Sequence, residues 1–448
     1  MSAVQAPAVT HVVAGRVVDS SGPLDLDALV LPRTELPPAH DVPTREIVDF
    51  LVETGRRLVV GENALLEQAL DGLIGVNPLE RRVLAHCYRD VARLFEREGL
   101  EFELEQALGG ADVLDGWRTV AEPGGRRVGV RAFGARTVHV LAGNGPEVVG
   151  LTITRGALSK SFNLLKLPSN DLFTATAILR TMADIDPDHP VVRSFSAVYW
   201  RGGDEAVERI LYRPQFFDKL VVWGGDAAVR NVVKYLGPGV EMIAFDPKVS
   251  VSFIGREAHA KLDEVAAAAA LDATFLDQEA CVASRYQFVE GTVEEVDRYC
   301  EALAAQLPRD REFSAGCGSG RPPVEVREEV EVLRQMAPDY GVWGASNGSG
   351  LVVRSAEPVG FHPSQKTVNV VPVASLADAV RWVSPATQTV GVFPPSRKAA
   401  LRDHLATAGA QRVVTLGGAA AIGVGLPHDA MIPLHRLVRW VSDEGAVD

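Results

Sequence analysis

Cys281 stands in the run Asp277-Gln278-Glu279-Ala280-Cys281-Val282-Ala283-Ser284-Arg285, a polar, small-residue setting directly after an Ala-rich helical stretch. A thiolate forms most readily where a cysteine is partly exposed and close to a helix N-terminus or a cation such as Arg285, so this run is read as a cysteine nucleophile. The competing reading is a structural cysteine, since free cysteines are among the most buried residues. Cys87, in an apolar helical stretch over residues 83–95, and Cys300, at the end of a helical run around 293–299, are read as packing residues. Cys317 lies in Ser314-Ala315-Gly316-Cys317-Gly318-Ser319-Gly320, a Gly-rich loop in which it would be exposed and oxidisable, and it is the rival nucleophile. No CxxC pair and no histidine at ligand spacing accompanies these cysteines, so neither a metal centre nor a disulfide framework is expected. A reducing, cytoplasmic setting follows as the expectation.

The elements that must position this chemistry can be read along the chain. Its 448 residues exceed one ordinary domain, which predicts two or three lobes. Hydrophobic residues at 47% and charged residues at 23% are those of a globular enzyme. The net charge of -13 argues against a nucleic-acid binder, which needs clustered Lys and Arg, and no apolar run is long enough to span a bilayer. Residues 1–43, rich in Pro and Asp, read as an N-terminal arm or irregular strands, and 44–108 as helical, with Ile47, Phe50, Leu51 and Leu58 near one face. A hairpin is predicted over 118–133 around Pro123-Gly124-Gly125. Strands over 137–141, 162–166, 195–200, 219–223 and 240–245 then alternate with helices near 147–159, 171–182, 204–212 and 226–236. That order predicts an α/β fold with a doubly wound parallel sheet and a ligand crevice at the carboxyl ends of its strands.

Two of those strand ends carry suggestive residues. In Leu141-Ala142-Gly143-Asn144-Gly145-Pro146 the glycines allow close approach of a ligand, and the Asn144 amide could donate to an oxyanion; a plain turn before a helix is the alternative. In Trp223-Gly224-Gly225-Asp226 the amides opening a helix could face a pyrophosphate, although this is no GxGxxG fingerprint and an Asp226 cap explains it as well.

Taken as an ordered set, Leu141-Ala142-Gly143-Asn144, Asp188-His189-Pro190, Val198-Tyr199-Trp200, Val222-Trp223-Gly224-Gly225, Phe245-Asp246-Pro247-Lys248, the cysteine segment and Leu426-Pro427-His428-Asp429 resemble the acyl-CoA reductase family of LuxC type over roughly residues 40–442. That family is a branch of the aldehyde dehydrogenase superfamily. The resemblance implies a nicotinamide-binding domain within 44–250, a catalytic cysteine domain over 251–430, and a small β oligomerisation element made from a hairpin at 118–135 and a C-terminal strand and tail at 431–448. It implies that Asn144, with the backbone N–H of Cys281, forms the oxyanion hole. Lys166 resembles the lysine that touches the adenosine ribose of the cofactor, with a solvated surface lysine as the alternative. Ser169 stands near where NAD-preferring relatives carry a glutamate that repels a 2′-phosphate, so NADPH is expected, with NADH possible. Gly224 and Gly225 are expected to bind cofactor as well.

The departures count too. Hydrolytic members use a glutamate before a Gly-Gly-Lys-Ser-like turn, where this chain has Ile243-Ala244-Phe245-Asp246-Pro247-Lys248. Without a base to activate water, thioester chemistry is favoured over acid formation, with Asp246 and Glu279 as possible substitutes. Of the ten histidines, His428 is the one the resemblance places in a shared loop, and it is assigned proton delivery, with bracing by Asp429 as the alternative. The expected activity is NADPH-dependent reduction of an acyl thioester, from acyl-CoA or an acyl-protein, to an aldehyde through Cys281. An aldehyde-oxidising enzyme and a non-reducing acyl-transfer subunit are the alternatives, the latter because Arg230 stands where superfamily members often have glycine. An acyl-activating partner enzyme and a homo-oligomer are the expected partners.

Overall fold

The computed structural model describes residues 9–316 and 320–445, so Cys317 lies outside the described residues. These fall into two compact units: the described residues of Met1–Asn77, Cys87–Asp246 and Gly423–Asp448, and those of Pro78–His86 with Pro247–Ile422.

In the first unit, Arg136–Val140, Phe162–Lys166 and Lys219–Trp223 are buried along their whole length, as runs such as Phe-Asn-Leu-Leu-Lys must be when a parallel sheet is covered on both faces. The sheet orders its strands Arg16–Val18, His11–Val13, Phe195–Val198, Phe162–Lys166, Arg136–Val140, Lys219–Trp223, Glu241–Phe245. The last five are parallel, and the crossovers run through helices Pro146–Leu158, Thr174–Ala183, Glu205–Leu211 and Asp226–Val233. Of the two readings of the N-terminal segment, an arm or irregular strands, the strands are found, and they extend this sheet: His11–Val13 pairs antiparallel with both Arg16–Val18 and Phe195–Val198. Val138, Leu164, Val198, Leu220, Val222 and Phe217 fill one side of it, each fully burying an apolar side chain worth about 2 kcal/mol.

The lead-in is four helices, Thr44–Arg57, Ala64–Leu73, Arg81–Arg93 and Arg97–Leu108, the third having its residues 81–86 in the second unit. The first buries Ile47, Val48, Phe50, Leu51 and Thr54 and carries Arg56 and Arg57 in its last turn, where cations complement the helix dipole. Asn63 caps the second by accepting from the Leu65 and Leu66 amides at 2.9 and 3.1 Å. In the central strand, His139 is fully buried with Nε2 3.0 Å from Asn163 Oδ1, and burial pushes its imidazole down to about 4, so it is neutral at pH 7.

The same unit carries a small antiparallel sheet. Arg118–Ala121 pairs with Arg127–Gly134 around a turn whose Gly124 and Gly125 have φ +105° and +90°, and Val438–Glu444 covers the other edge of Arg127–Gly134. Helix Pro433–Leu437 precedes that last strand, with Leu434 and Leu437 buried and Arg436 paired to Glu241.

The second unit has a seven-stranded sheet ordered Gly341–Ala345, Gly350–Arg354, Thr367–Val373, Ser284–Glu290, Val249–Ile254, Thr387–Phe393, Arg412–Thr415, parallel except for its first pair. Asn347-Gly348-Ser349 forms the turn of that antiparallel hairpin. The Ala-rich helix Leu262–Thr274 packs Val265, Ala266, Ala269 and Ala270 against Val289, Val352 and Val368, its small side chains permitting close approach to helix Val293–Gln306. Cys300 sits inside that second helix rather than at its end, because the buried face continues through Leu303 to Gln306. Among the described residues, no helix is long and apolar enough to cross a membrane.

Candidate active site

The Ala-rich helix ends at Thr274 and the strand carrying Arg285 begins at Ser284, which puts Cys281 in a tight connection at the amino end of that strand. Leu276, Asp277 and Gln278 take φ of +48°, +49° and +73°, three consecutive side-chain-bearing residues in the left-handed region. Each costs on the order of 1–2 kcal/mol, so the turn persists only because its surroundings dictate it. Asp277 Oδ1 accepts from Ser314 Oγ at 2.7 Å and the Ala315 amide at 3.1 Å, and pairs with Lys366 Nζ at 3.2 Å; both ionic side chains are 1% exposed. Gln278 Nε2 donates to the Thr367 carbonyl at 2.9 Å, and Gln365 Nε2 donates to Glu279 Oε1 at 2.7 Å. Ser250 Oγ donates to the Cys281 carbonyl at 2.7 Å while accepting from the Thr389 amide at 3.1 Å, tying the cysteine backbone to the sheet.

Cys281 is partly exposed, whereas Cys87 and Cys300 are buried and their thiols are pushed well up by burial. Burial lowers the guanidinium groups of Arg285 and Arg412, opposed chiefly by Glu279 in the first and by Asp272 in the second, with Cys281 acting in the same opposing sense on both. Arg285 donates to the carbonyls of Gln278 and Pro363, which makes the expected activating cation also a brace for the turn. Arg412 donates to the Ala419 carbonyl at 2.6 Å, and the same loop is held by Asp272, whose carboxyl accepts from the Gly417 and Ala419 amides and is raised to about 6 by burial. Burial raises the Glu279 carboxyl too. His362, one residue before Pro363, is lowered by partial burial and then by Arg285. The sequence reading missed Lys366, Arg412 and His362, whose proximity to this turn arises only in the folded sheet.

In the first unit, the Asn144 loop and the Gly224-Gly225 turn leave the carboxyl ends of adjacent parallel strands, Arg136–Val140 and Lys219–Trp223. The chain crosses over in opposite directions from Arg136–Val140, to Phe162–Lys166 on one side and toward Lys219–Trp223 on the other, which is the switch point where α/β sheets bind ligands. Asn144 is exposed, and its loop is fixed by Asn77 Nδ2 and Asn170 Nδ2, both donating to the Gly143 carbonyl at 3.1 Å. A Cβ at position 143 would lie 2.2 Å from Asn170 Oδ1, so glycine there lets Asn170 keep its place against the loop. Lys166 ends its strand 8% exposed; its Nζ donates to the Leu167 carbonyl at 3.4 Å, long for an ammonium, and burial lowers it. Ser169 is exposed just beyond. Gly225 is the N-cap of helix Asp226–Val233 with no side-chain cap, and open space surrounds the position of its missing Cβ. An underused buried ammonium and uncapped helix amides at one switch point fit a phosphorylated dinucleotide. Arg230 pairs with Asp226 at 2.7 Å on the exposed face of that helix.

His428 belongs to this first unit. Its ring meets Phe245 and Trp223 at 5.1 and 5.7 Å between centroids, on a pair that itself stacks at 3.6 Å, and its Nε2 lies 3.7 Å from Asp429 Oδ1. Asp429 and Ala430 are left-handed, and the His428 amide donates to the Met431 carbonyl at 2.9 Å, closing the loop. Asp246, considered as a substitute base, is exposed at the end of the neighbouring strand.

Comparison with known proteins agrees with this arrangement. Residues 39–440 match the family model described as acyl-CoA reductase (LuxC). The long-chain acyl-protein thioester reductase of Vibrio harveyi is 28% identical over 415 residues, covering 90% of this chain and 83% of the relative. That of Aliivibrio fischeri is 31% identical over 346 residues, covering 75% and 69%. Among solved structures, an oxidoreductase from Marinobacter aquaeolei superposes with a TM-score of 0.72 at 12% identity over 98% of both chains. A NAD-dependent benzaldehyde dehydrogenase from Corynebacterium glutamicum does so with 0.71 at 14% identity over 99% of this chain and 100% of the other. Those structures speak to the fold, which is that of the aldehyde dehydrogenases, and with a family match spanning the cysteine turn and both strand ends the chain belongs to the acyl-CoA reductase (LuxC) family.

Proposed function

We propose that this chain reduces long-chain acyl thioesters to aldehydes through a Cys281 acyl-enzyme, with NADPH as the preferred reductant. The observation that carries the reading is the Cys281 turn itself: a partly exposed thiol that follows a left-handed run, Leu276 to Gln278, held by buried partners. Cys281 Sγ attacks the acyl carbon, the carbonyl electrons move onto oxygen, and their return breaks the bond to the departing thiol. Asn144 donates its side-chain N–H to that oxyanion in the proposed assignment. The nicotinamide, when bound, supplies the hydride that the acyl carbon must receive. Collapse of the resulting thiohemiacetal breaks the carbon–sulfur bond, releasing aldehyde and returning the thiolate. His428, oriented by Asp429, protonates the thiolate of the donor as it departs. Lys166, Ser169 and the Gly224-Gly225 turn hold the cofactor, Lys166 by donating to ribose hydroxyls from its buried position and Ser169 by leaving room for a 2′-phosphate. The names of the relatives favour an acyl-protein donor, and an acyl-activating enzyme is the partner that would supply it. The open edges of the small antiparallel sheet suit a homo-oligomer.

Intact mass after incubation with hexadecanoyl-CoA, comparing the native chain with Cys281→Ser and then adding NADPH, tests this. An adduct that needs Cys281 and is discharged as aldehyde supports the reductase. An adduct that persists with NADPH points to an acyl-transfer subunit. No adduct from acyl-CoA or an acyl-protein removes Cys281 as the nucleophile.

A further inference from the structure

We propose that Asp277 and Lys366 act as a positioning pair for Cys281, locking the left-handed turn that presents the nucleophile; this rests on the reading of Cys281 given above. Two segments meet here, and both are strained. Leu276, Asp277 and Gln278 precede the cysteine at positive φ, and Gln365 and Lys366, at +51° and +60°, precede the neighbouring strand Thr367–Val373. The strands that follow, Ser284–Glu290 and Thr367–Val373, are parallel neighbours, so the two turns lie side by side at their amino ends.

Beside the Arg285 brace to Gln278 and Pro363, three cross-links join the turns through residues in or next to the left-handed runs. Lys366 Nζ reaches Asp277 Oδ1 at 3.2 Å and also donates to the Ala315 carbonyl, while Asp277 Oδ1 gathers Ser314 Oγ and the Ala315 amide. Gln278 binds the Thr367 carbonyl and Gln365 binds Glu279. Non-glycine residues do not choose this conformation, and a buried ion pair is poorly suited to general stabilisation, because desolvation offsets most of its attraction. Its strength lies in specifying one geometry, and here that geometry sets the backbone four residues before the sulfur. Neither side chain needs to touch substrate.

The test uses the full chain with Asp277→Asn, which keeps shape and removes charge, and with the double variant Asp277→Leu/Lys366→Met, which removes both buried charges together. Melting temperature reads the fold, iodoacetamide alkylation of Cys281 followed by mass reads the thiol, and the hexadecanoyl-CoA acylation burst separates maximal rate from half-saturation. The expected result is a folded protein whose Cys281 acylates at a maximal rate lower by roughly tenfold or more, with half-saturation little changed, because displacing a reacting group by about 1 Å costs up to about a hundredfold, and whose second-order alkylation rate falls as the thiol is turned from its native setting. A folded variant of either kind whose maximal acylation rate stays within about twofold of the native chain overturns the proposal, that being far below the cost of such a displacement. If the double variant does not fold, Asp277→Asn alone decides by the same two outcomes. A native Cys281 that alkylates but takes no acyl group from any thioester sinks the nucleophile reading instead, and leaves the alkylation comparison standing.

Discussion

A carboxylate at position 169 would stand on the exposed surface just past the strand that ends in Lys166, where Ser169 now leaves space. Like charges brought together are costly, so Ser169→Glu is expected to weaken NADPH use by at least about tenfold relative to NADH, equivalent to roughly 1.4 kcal/mol, with the fold untouched. Steady-state kinetics with both cofactors checks it; an unchanged preference would remove Ser169 from the 2′-phosphate assignment. At this scale the sequence was informative about Cys281, whose polar neighbours distinguish it from the cysteines now found sealed in helices. It was silent on how the turn is held. Leu276, Asp277 and Gln278 have no left-handed signature, and their partners Ser314 and Lys366 are far away in the chain, brought near only by strand pairing.

Among the elements, the central strand Arg136–Val140 carries a titratable group with a clear consequence. His139 is held at about 4 in the fold against an ordinary 6.5, so the unfolded chain binds the proton first as pH falls. Its contribution to stability is therefore complete above pH 6.5 and is lost as pH falls through 6.5 toward 4, by up to roughly 3 kcal/mol. His139→Gln, which keeps a donor for Asn163 Oδ1, should flatten that part of the stability curve in urea titrations between pH 4 and 7; an unaltered slope would show that His139 is not the responsible group. The parallel strands were legible because continuous apolar runs bounded by turns are what a two-faced sheet demands. The strand at His11–Val13 was not, since three residues give no periodicity and its place is fixed by pairing with Phe195–Val198.

For the whole molecule, the βαβ alternation announced the fold class, but not that the first unit is assembled from both sides of the second in the chain. Helix Pro433–Leu437 and strand Val438–Glu444 return to the first unit, where Arg436 meets Glu241 and the strand completes the small sheet against Arg127–Gly134. Composition carries no sign of such a return. Its consequence concerns the timing of maturation: on the ribosome the second unit has all its residues once Ile422 emerges, whereas the first must wait, with the edge of Arg127–Gly134 uncovered and His428 not yet made, until the closing strand follows. Nascent chains stalled with residue 422 just clear of the ribosome should already yield a protease-resistant second unit, while the first gains comparable resistance only in chains extended through Glu444. Equal resistance of both units at the earlier point would mean that the late strand is an ornament on the first unit; the expected order makes it the last stitch, and makes a chain cut short before it a protein with a finished second unit around its thiol and an unfinished first one.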